Sequence, residues 1–159
     1  MGNGSPMDLE VIASLERLAE LLDARSPLFV RWSAGPEADE SRPYSVDGLT
    51  GARLPGLSAS PLEVEPWWGD RPTVLWVARR LHDYSHLKDA RAEGARPWVL
   101  EGEEAGRGPD NEPLVARPRP VALIDKRVLD EAAAVLDDVK RGGWGPLDRE
   151  QTDARGGAR

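Results

Sequence analysis

The chain has no cysteine among its 159 residues, which excludes disulfides, thiolate metal sites and a cysteine nucleophile, and suits a reducing compartment. It has no apolar run near the ~20 residues that a membrane-spanning helix needs. Its opening MGNGSPMDLE lacks the basic stretch and apolar core of an export signal. A soluble cytoplasmic protein without a membrane partner is therefore expected. Positive charge is in deficit: Lys and Arg number 21 against 28 Asp and Glu, for a net charge of −7. That balance works against binding a nucleic-acid backbone. Aromatic residues are scarce at 6%, with one Phe and two Tyr, yet six Trp are present. Each Trp carries a large apolar area and an N–H that needs an acceptor.

What is there suffices for one domain. A 17.4 kDa chain that is 40% hydrophobic can bury a core unaided. Residues 1–7 read as a polar start outside the fold, residues 8–144 as a single domain, and residues 145–159 as a flexible polar tail. The stretch Leu54 to Leu87 holds three of the Trp and both His, and the rest of the chain is arranged around it.

Leu15, Leu18, Ala19 and Leu22 recur at helical spacing behind Ser14, a good N-cap, so a helix is expected near 14–23, preceded by a short strand over Leu9 to Ile12; one longer helix from Met7, started by Ser5-Pro6, is the alternative. Leu28 to Ser33 alternates: Leu28, Val30 and Trp32 face one way, Phe29, Arg31 and Ser33 the other. Residues 34–53, rich in Gly, Pro, Asp and Ser, read as a long loop with a short hairpin around Tyr44 to Thr50. A helix near 72–87 follows, with Asp70 as N-cap and Pro72 in its first turn. Its buried stripe is Val74, Val77, Ala78, Leu81 and Ser85, and Arg79, Arg80 and Asp83 lie opposite. Residues 98–102 read as a strand and 103–113 as a turn. Residues 114–124 read as an edge strand broken by Pro118 and Pro120 and then a short buried one. The last helix, near 126–141, is capped by Asp125 and stopped by Gly142-Gly143. The order fits an α+β class: a mainly antiparallel sheet of about four to six strands, near 28–33, 57–60, 98–102 and 114–124, with three helices.

Four constellations are candidates for chemistry. His82 and His86, one helical turn apart, share a face and can chelate a metal, but no third ligand is identifiable; packing against Trp is the alternative, and no metal is expected. The turn from Gly106 to Pro113 lacks the Gly-Lys-Ser/Thr of a phosphate loop and reads as a hairpin turn whose Gly and Asn supply positive φ. The Trp residues read mostly as core. Trp68 in a Pro/Gly turn and Trp76 off the helical stripe are the exceptions expected to reach a pocket or a partner.

The fourth is a strand arginine followed by serines and carboxylates: Arg31, then Ser58 and Ser60, then Glu101, Glu103 or Glu112. This order resembles the Arg–Ser–Glu signature of the ADP-ribosyltransferase superfamily. The resemblance implies that Arg31 contacts the phosphates of a nicotinamide dinucleotide (NAD) and that Ser58 and Ser60 brace the site. It also implies that one Glu polarises a ribose hydroxyl as nicotinamide leaves. Ala59 stands where that family has Thr. Chemistry of this kind needs a bidentate cation for pyrophosphate and a carboxylate beside the developing oxocarbenium. Trp32, Tyr44 or Trp67 are candidates to stack on a ring, and Trp68 to line the same cleft.

The runs LFVRWSAGPEAD, LPGLSASPLEVEPWW, RPWVL and GRGPDNEPL resemble a family of small actinobacterial proteins with no assigned function, over most of residues 14–140. That likeness implies one cytosolic domain and no particular chemistry. Two classes of function remain. A non-catalytic module binding a protein partner or a nucleotide-like ligand is the first. An ADP-ribosyltransferase-like enzyme or former enzyme is the second. The cleft is expected between the 34–53 loop, Ser58 and Ser60, the Trp67-Trp68 turn and the 103–113 turn.

Overall fold

A computed structural model describes residues 9–25, 27–47, 49–84, 95–109 and 111–142. In chain order the elements are β1 (Glu10–Ile12), α1 (Leu15–Ala24), β2 (Phe29–Ser33), α2 (Pro36–Ser41), β3 (Leu57–Ser58), β4 (Ser60–Pro61), a 3-10 turn (Pro66–Trp68), α3 (Thr73–Tyr84), β5 (Arg96–Arg107), β6 (Pro113–Ile124) and α4 (Lys126–Gly142). The class is α+β, and among the described residues there are a six-stranded, mostly antiparallel sheet and four helices.

The sheet runs β1-β6-β5-β2-β4, and β3 also pairs with β6. Among the described strands only β1 is parallel to its neighbour, with Glu10 opposite Ala122 and Ile12 opposite Ile124. The segment 57–61 links β6 to β2, the two strands on either side of β5. Leu57 and Ser58 pair with Val115 and Leu114 of β6, whereas Ser60 and Pro61 pair with Val30 and Phe29 of β2. Two further backbone bonds, Ala59 N–H to Pro113 O at 3.1 Å and Leu62 N–H to Leu28 O at 2.9 Å, hold the crossing. With β5 between β2 and β6, these pairings close a ring.

Close approach at the seam depends on glycine. A Cβ on Gly56 would lie 2.5 Å from the Val115 carbonyl oxygen, and one on Gly102 would lie 2.5 Å from Val115 Cγ1. Neither space admits a methyl group. The β5–β6 ladder shifts register three times, between Val99 and Leu100, Glu101 and Glu103, and Glu104 and Gly106. Pro118 and Pro120, which have no N–H to donate, sit in the irregular part, and Arg117 there takes φ +50°. β6 is therefore one long bulged strand instead of the broken edge strand expected, and β5 continues through Arg107 where a turn is expected. The connecting turn has Asn111 at φ +63°, as its composition suggests.

Strand alternation sends β2 into two cores, as its sequence predicts. On one face Leu28, Val30 and Trp32 join Ile12, Val99, Ala122 and Ile124 beneath α1, α3 and α4. On the other, Phe29 meets Leu57, Ala59, Trp98, Leu100 and Val115 inside the ring. The Ser14 hydroxyl caps α1 by accepting from Arg17 N–H at 3.1 Å, and Asp125 does the same for Arg127 N–H at 2.8 Å beside the start of α4.

Both exceptional Trp residues prove to be core. Trp68 and Trp76 are each 1% exposed. Their ring centroids lie 5.3 Å apart edge-to-face, and Trp67 completes the cluster at 5.8 and 5.6 Å. The helical stripe alone misses this because the chain from Leu62 to Pro72 wraps a second side of α3. Trp76 Nε1–H donates to Leu62 O at 2.7 Å, and Trp68 Nε1–H to Arg71 O at 3.0 Å. The helix itself begins at Thr73, two residues later than an Asp70 cap would start it.

Candidate functional site

The short helix α2 lies over the ring-side face of β2, within a stretch whose composition reads as loop. Gly35-Pro36 opens it, with Pro36 in the first helical turn and Glu37 and Asp39 near its positive end. Asp39 is the residue that ties it down. Its carboxylate accepts from Arg31 Nε at 2.8 Å and Nη2 at 3.3 Å, and from the Ser33 hydroxyl at 2.5 Å. The paired side chains are 11% and 12% exposed. Ser33 in turn accepts from Trp98 Nε1–H at 2.9 Å and from Gly35 N–H at 3.1 Å. Arg31 Nη1 donates to Ser58 O at 2.8 Å, so the same guanidinium clamps the closing segment to β2. Shielded from water, such charge-assisted bonds fix the geometry of α2 on the sheet.

Two cavities flank α2. The larger, about 470 Å³, is lined by Arg31, Ala38, Asp39, Ser41, Arg42, Tyr44, Ser45 and Val46. The smaller, about 250 Å³, lies over Trp98 and Leu57 with Pro36, Pro43, Pro118 and Pro120 around it and Glu40 and Arg117 at its rim. Residues beyond α2 form the small hairpin expected there: Val46 bridges Arg53, and Leu54 N–H donates to Ser45 O at 2.9 Å. Its turn is held by Asp47, whose carboxyl lies below the usual range chiefly because it accepts from the Leu49 N–H. This hairpin carries Arg53 over the Tyr44 ring, 4.2 Å from guanidinium carbon to centroid. Arg42 approaches the same ring at 5.8 Å.

Arg31, Ser58 and Glu112 are brought together in series. Beyond the Arg31 bond to the Ser58 carbonyl, the Ser58 hydroxyl donates to Glu112 Oε2 at 3.2 Å. Of the three, only Arg31 lines the larger cavity. Ser60 is in the ladder with Val30. Glu101 instead pairs with Arg25 at 2.9 Å and Arg119 at 3.1 Å. Burial pushes its carboxyl up, but these two arginines together hold it below the ordinary value. Glu103 is exposed and pairs with Arg117 at 3.1 Å. Trp67 and Trp68 belong to the helix-side core, and Trp32 does too. The cleft is therefore built from β2, α2 and the Tyr44 hairpin, and neither the Trp67-Trp68 turn nor the 103–113 turn contributes to its lining.

Asp39, Arg42 and Arg53 were not singled out by the sequence. The legible signal for α2 is the Gly-Pro start followed by acidic residues; nothing local reveals that Arg53 returns to Tyr44. His82 is exposed on α3, and His86 lies outside the described residues. Among the described residues no group of three or more His, Asp or Glu is placed to hold a metal ion. None of their helices is long and apolar enough to cross a membrane.

A family profile described as a family of unknown function, DUF6098, matches residues 5–145, and the chain belongs to that family. No curated protein and no solved structure matches it.

Proposed function

We propose that this domain is a non-catalytic ligand-binding module, and that its site is the cleft between α2 and the Tyr44 hairpin. The observation that carries this reading is a cleft of about 470 Å³ whose polar wall is held rigidly by the Arg31–Asp39 pair. That volume suits a small organic molecule, and fixed polar groups at a concave site are what orient one. A protein partner docking on Trp is the less supported form of the module. The five described Trp are 1% exposed or, for Trp67, half-buried within a core.

The test is thermal unfolding against a panel of nucleotides, nicotinamide dinucleotides and other small metabolites. A ligand at 100 times its dissociation constant stabilises by about 2.7 kcal/mol. The expected outcome is a shift with at least one compound that is lost in Tyr44→Ala. A panel without any such shift overturns the reading.

The hydrogen-bonded series Arg31, Ser58, Glu112 is the one observation favouring an ADP-ribosyltransferase-like reading with NAD as ligand. Against it, Ser58 and Glu112 stand outside the cleft lining. Incubation with NAD should therefore release no nicotinamide. Release that disappears in Glu112→Gln would establish the enzyme instead.

A further inference from the structure

The cleft concentrates positive charge on a chain whose net charge is −7. Arg31 and Arg42 line it, and Arg53 lies against its Tyr44 wall. The carboxylates nearby are otherwise engaged or face elsewhere. Asp39 accepts from Arg31 and Ser33, Asp47 accepts from the Leu49 N–H, and Glu40 borders the other cavity. Among the described residues Arg42 and Arg53 make no ion pair; their guanidinium carbons lie over the Tyr44 ring, 5.8 and 4.2 Å from its centroid. Stacking of this kind leaves the N–H edges of a guanidinium available, because the contact uses the flat face.

Arg31 adds to this. Its three hydrogen bonds use three of the five guanidinium N–H groups, so each of its terminal nitrogens retains one. The Ser45 hydroxyl accepts from Ser58 N–H at 2.9 Å, which leaves its own hydrogen to donate. The cleft thus offers donors and cations, with Asp39 as the acidic member already neutralised.

We propose that the ligand is an organic phosphate of about mononucleotide size, its phosphate held by Arg42 and Arg53 beside Tyr44 and its organic part lying against Ala38 and Val46. Guanidinium pairs match the geometry and charge of a phosphate dianion. The cleft's about 470 Å³ leaves room for the attached organic group. The inference rests on the small-molecule reading of this cleft and gives that reading its chemical class.

The experiment is NMR titration of the full chain with adenosine 5′-monophosphate, adenosine, inorganic phosphate and citrate, following the amides of Tyr44 to Val46. The monophosphate should bind at least tenfold more tightly than adenosine, about 1.4 kcal/mol. It should weaken with added salt, and it should lose that advantage in the double variant Arg42→Gln/Arg53→Gln. Both residues are exposed, and a melting temperature close to that of the parent verifies the variant's fold. Equal affinity for adenosine and its monophosphate, or tighter binding of citrate, overturns the phosphate class and leaves the cleft as a ligand site. An advantage that survives in the double variant removes the assignment to Arg42 and Arg53. Should none of these probes move the amides while a neutral compound from the unfolding panel does, the class is wrong and the cleft stands. If no compound of either set moves them, both readings fall together.

Discussion

The two faces of the sheet solve the same burial problem by different means. The helix side is a large apolar core in which α1, α3 and α4 cover Val30, Trp32, Val99 and Ala122. There bulk area dominates: at about 25 cal/mol per Å², a buried Trp removing roughly 150–250 Å² from water contributes about 4–6 kcal/mol as an upper bound. That margin tolerates imperfection. Trp32 and Trp67 both bury an indole N–H with no acceptor among the described residues, at about 1–3 kcal/mol each. The ring side has a smaller core of six buried residues and a six-residue helix that buries only Pro36. Here hydrogen bonds stand in for area, and Trp98, Ser33, Asp39, Arg31 and Ser58 form one connected chain. The difference teaches where function can reside. Polar groups in fixed positions beside open space can recognise a ligand, and a filled core cannot.

The comparison breaks most visibly under truncation on the helix side. Trp76→Ala should lower the unfolding free energy by about 3–5 kcal/mol in urea denaturation, because it empties the centre of the Trp67–Trp68–Trp76 cluster and leaves the Leu62 carbonyl without its donor.

Asp39→Ala should cost somewhat less, about 2–3 kcal/mol, since Arg31 is then left part-buried and unneutralised. Its signature differs from that of Trp76→Ala. Hydrogen exchange should accelerate at α2 and the Tyr44 hairpin while α1, α3 and α4 keep their protection. Uniform acceleration throughout the molecule would mean that the two faces are not separable.

Ser14→Ala probes the helix side locally, removing the hydroxyl that accepts from Arg17 N–H. The expected loss is about 1 kcal/mol, the ordinary value for an N-cap, and ligand binding in the cleft should be unchanged.

The smallest effect belongs to acid titration of Glu101, which lies between Arg25 and Arg119. Its folded-state carboxyl is held below the ordinary value of 4.5. The stabilisation is therefore present above pH about 4.5 and is lost as pH falls through the folded pKa. In Glu101→Gln that segment of the stability–pH curve should flatten, and a curve unchanged from the parent would show that the two arginines contribute nothing there.

Much of the helix side was legible beforehand. Leu15, Leu18 and Leu22 behind Ser14, and Val128, Ala132, Leu136 and Val139 behind Asp125, announce α1 and α4 because a helix buried on one side repeats its apolar residues every three or four positions. The alternation in β2 likewise separated Val30 and Trp32 from Phe29 and Arg31. The burial of Trp76 does not follow from periodicity, which describes one helix against one neighbour, and α3 has two. The cleft was only partly legible. Arg31 and Tyr44 could be singled out, but Ser60, Glu101, Glu103, Trp67 and Trp68 lie elsewhere, and Arg42 and Arg53 gave no signal. Their meeting at Tyr44 depends on a hairpin whose register is set by one bridge and a few backbone bonds, which composition does not encode.

By itself, then, the chain order of apolar and capping residues determined the α+β class, the three long helices and the two-faced character of β2, since these follow from periodicities of 3.6 and 2 acting within short stretches. The tertiary structure alone decided that residues 57–61 close the sheet into a ring, that α2 is anchored through Asp39, and that Arg42 and Arg53 both lie over Tyr44. Each of those is a contact between separate elements, some near and some far in sequence, where the energy is set by distance and solvent exclusion, and neither quantity can be read from residue order.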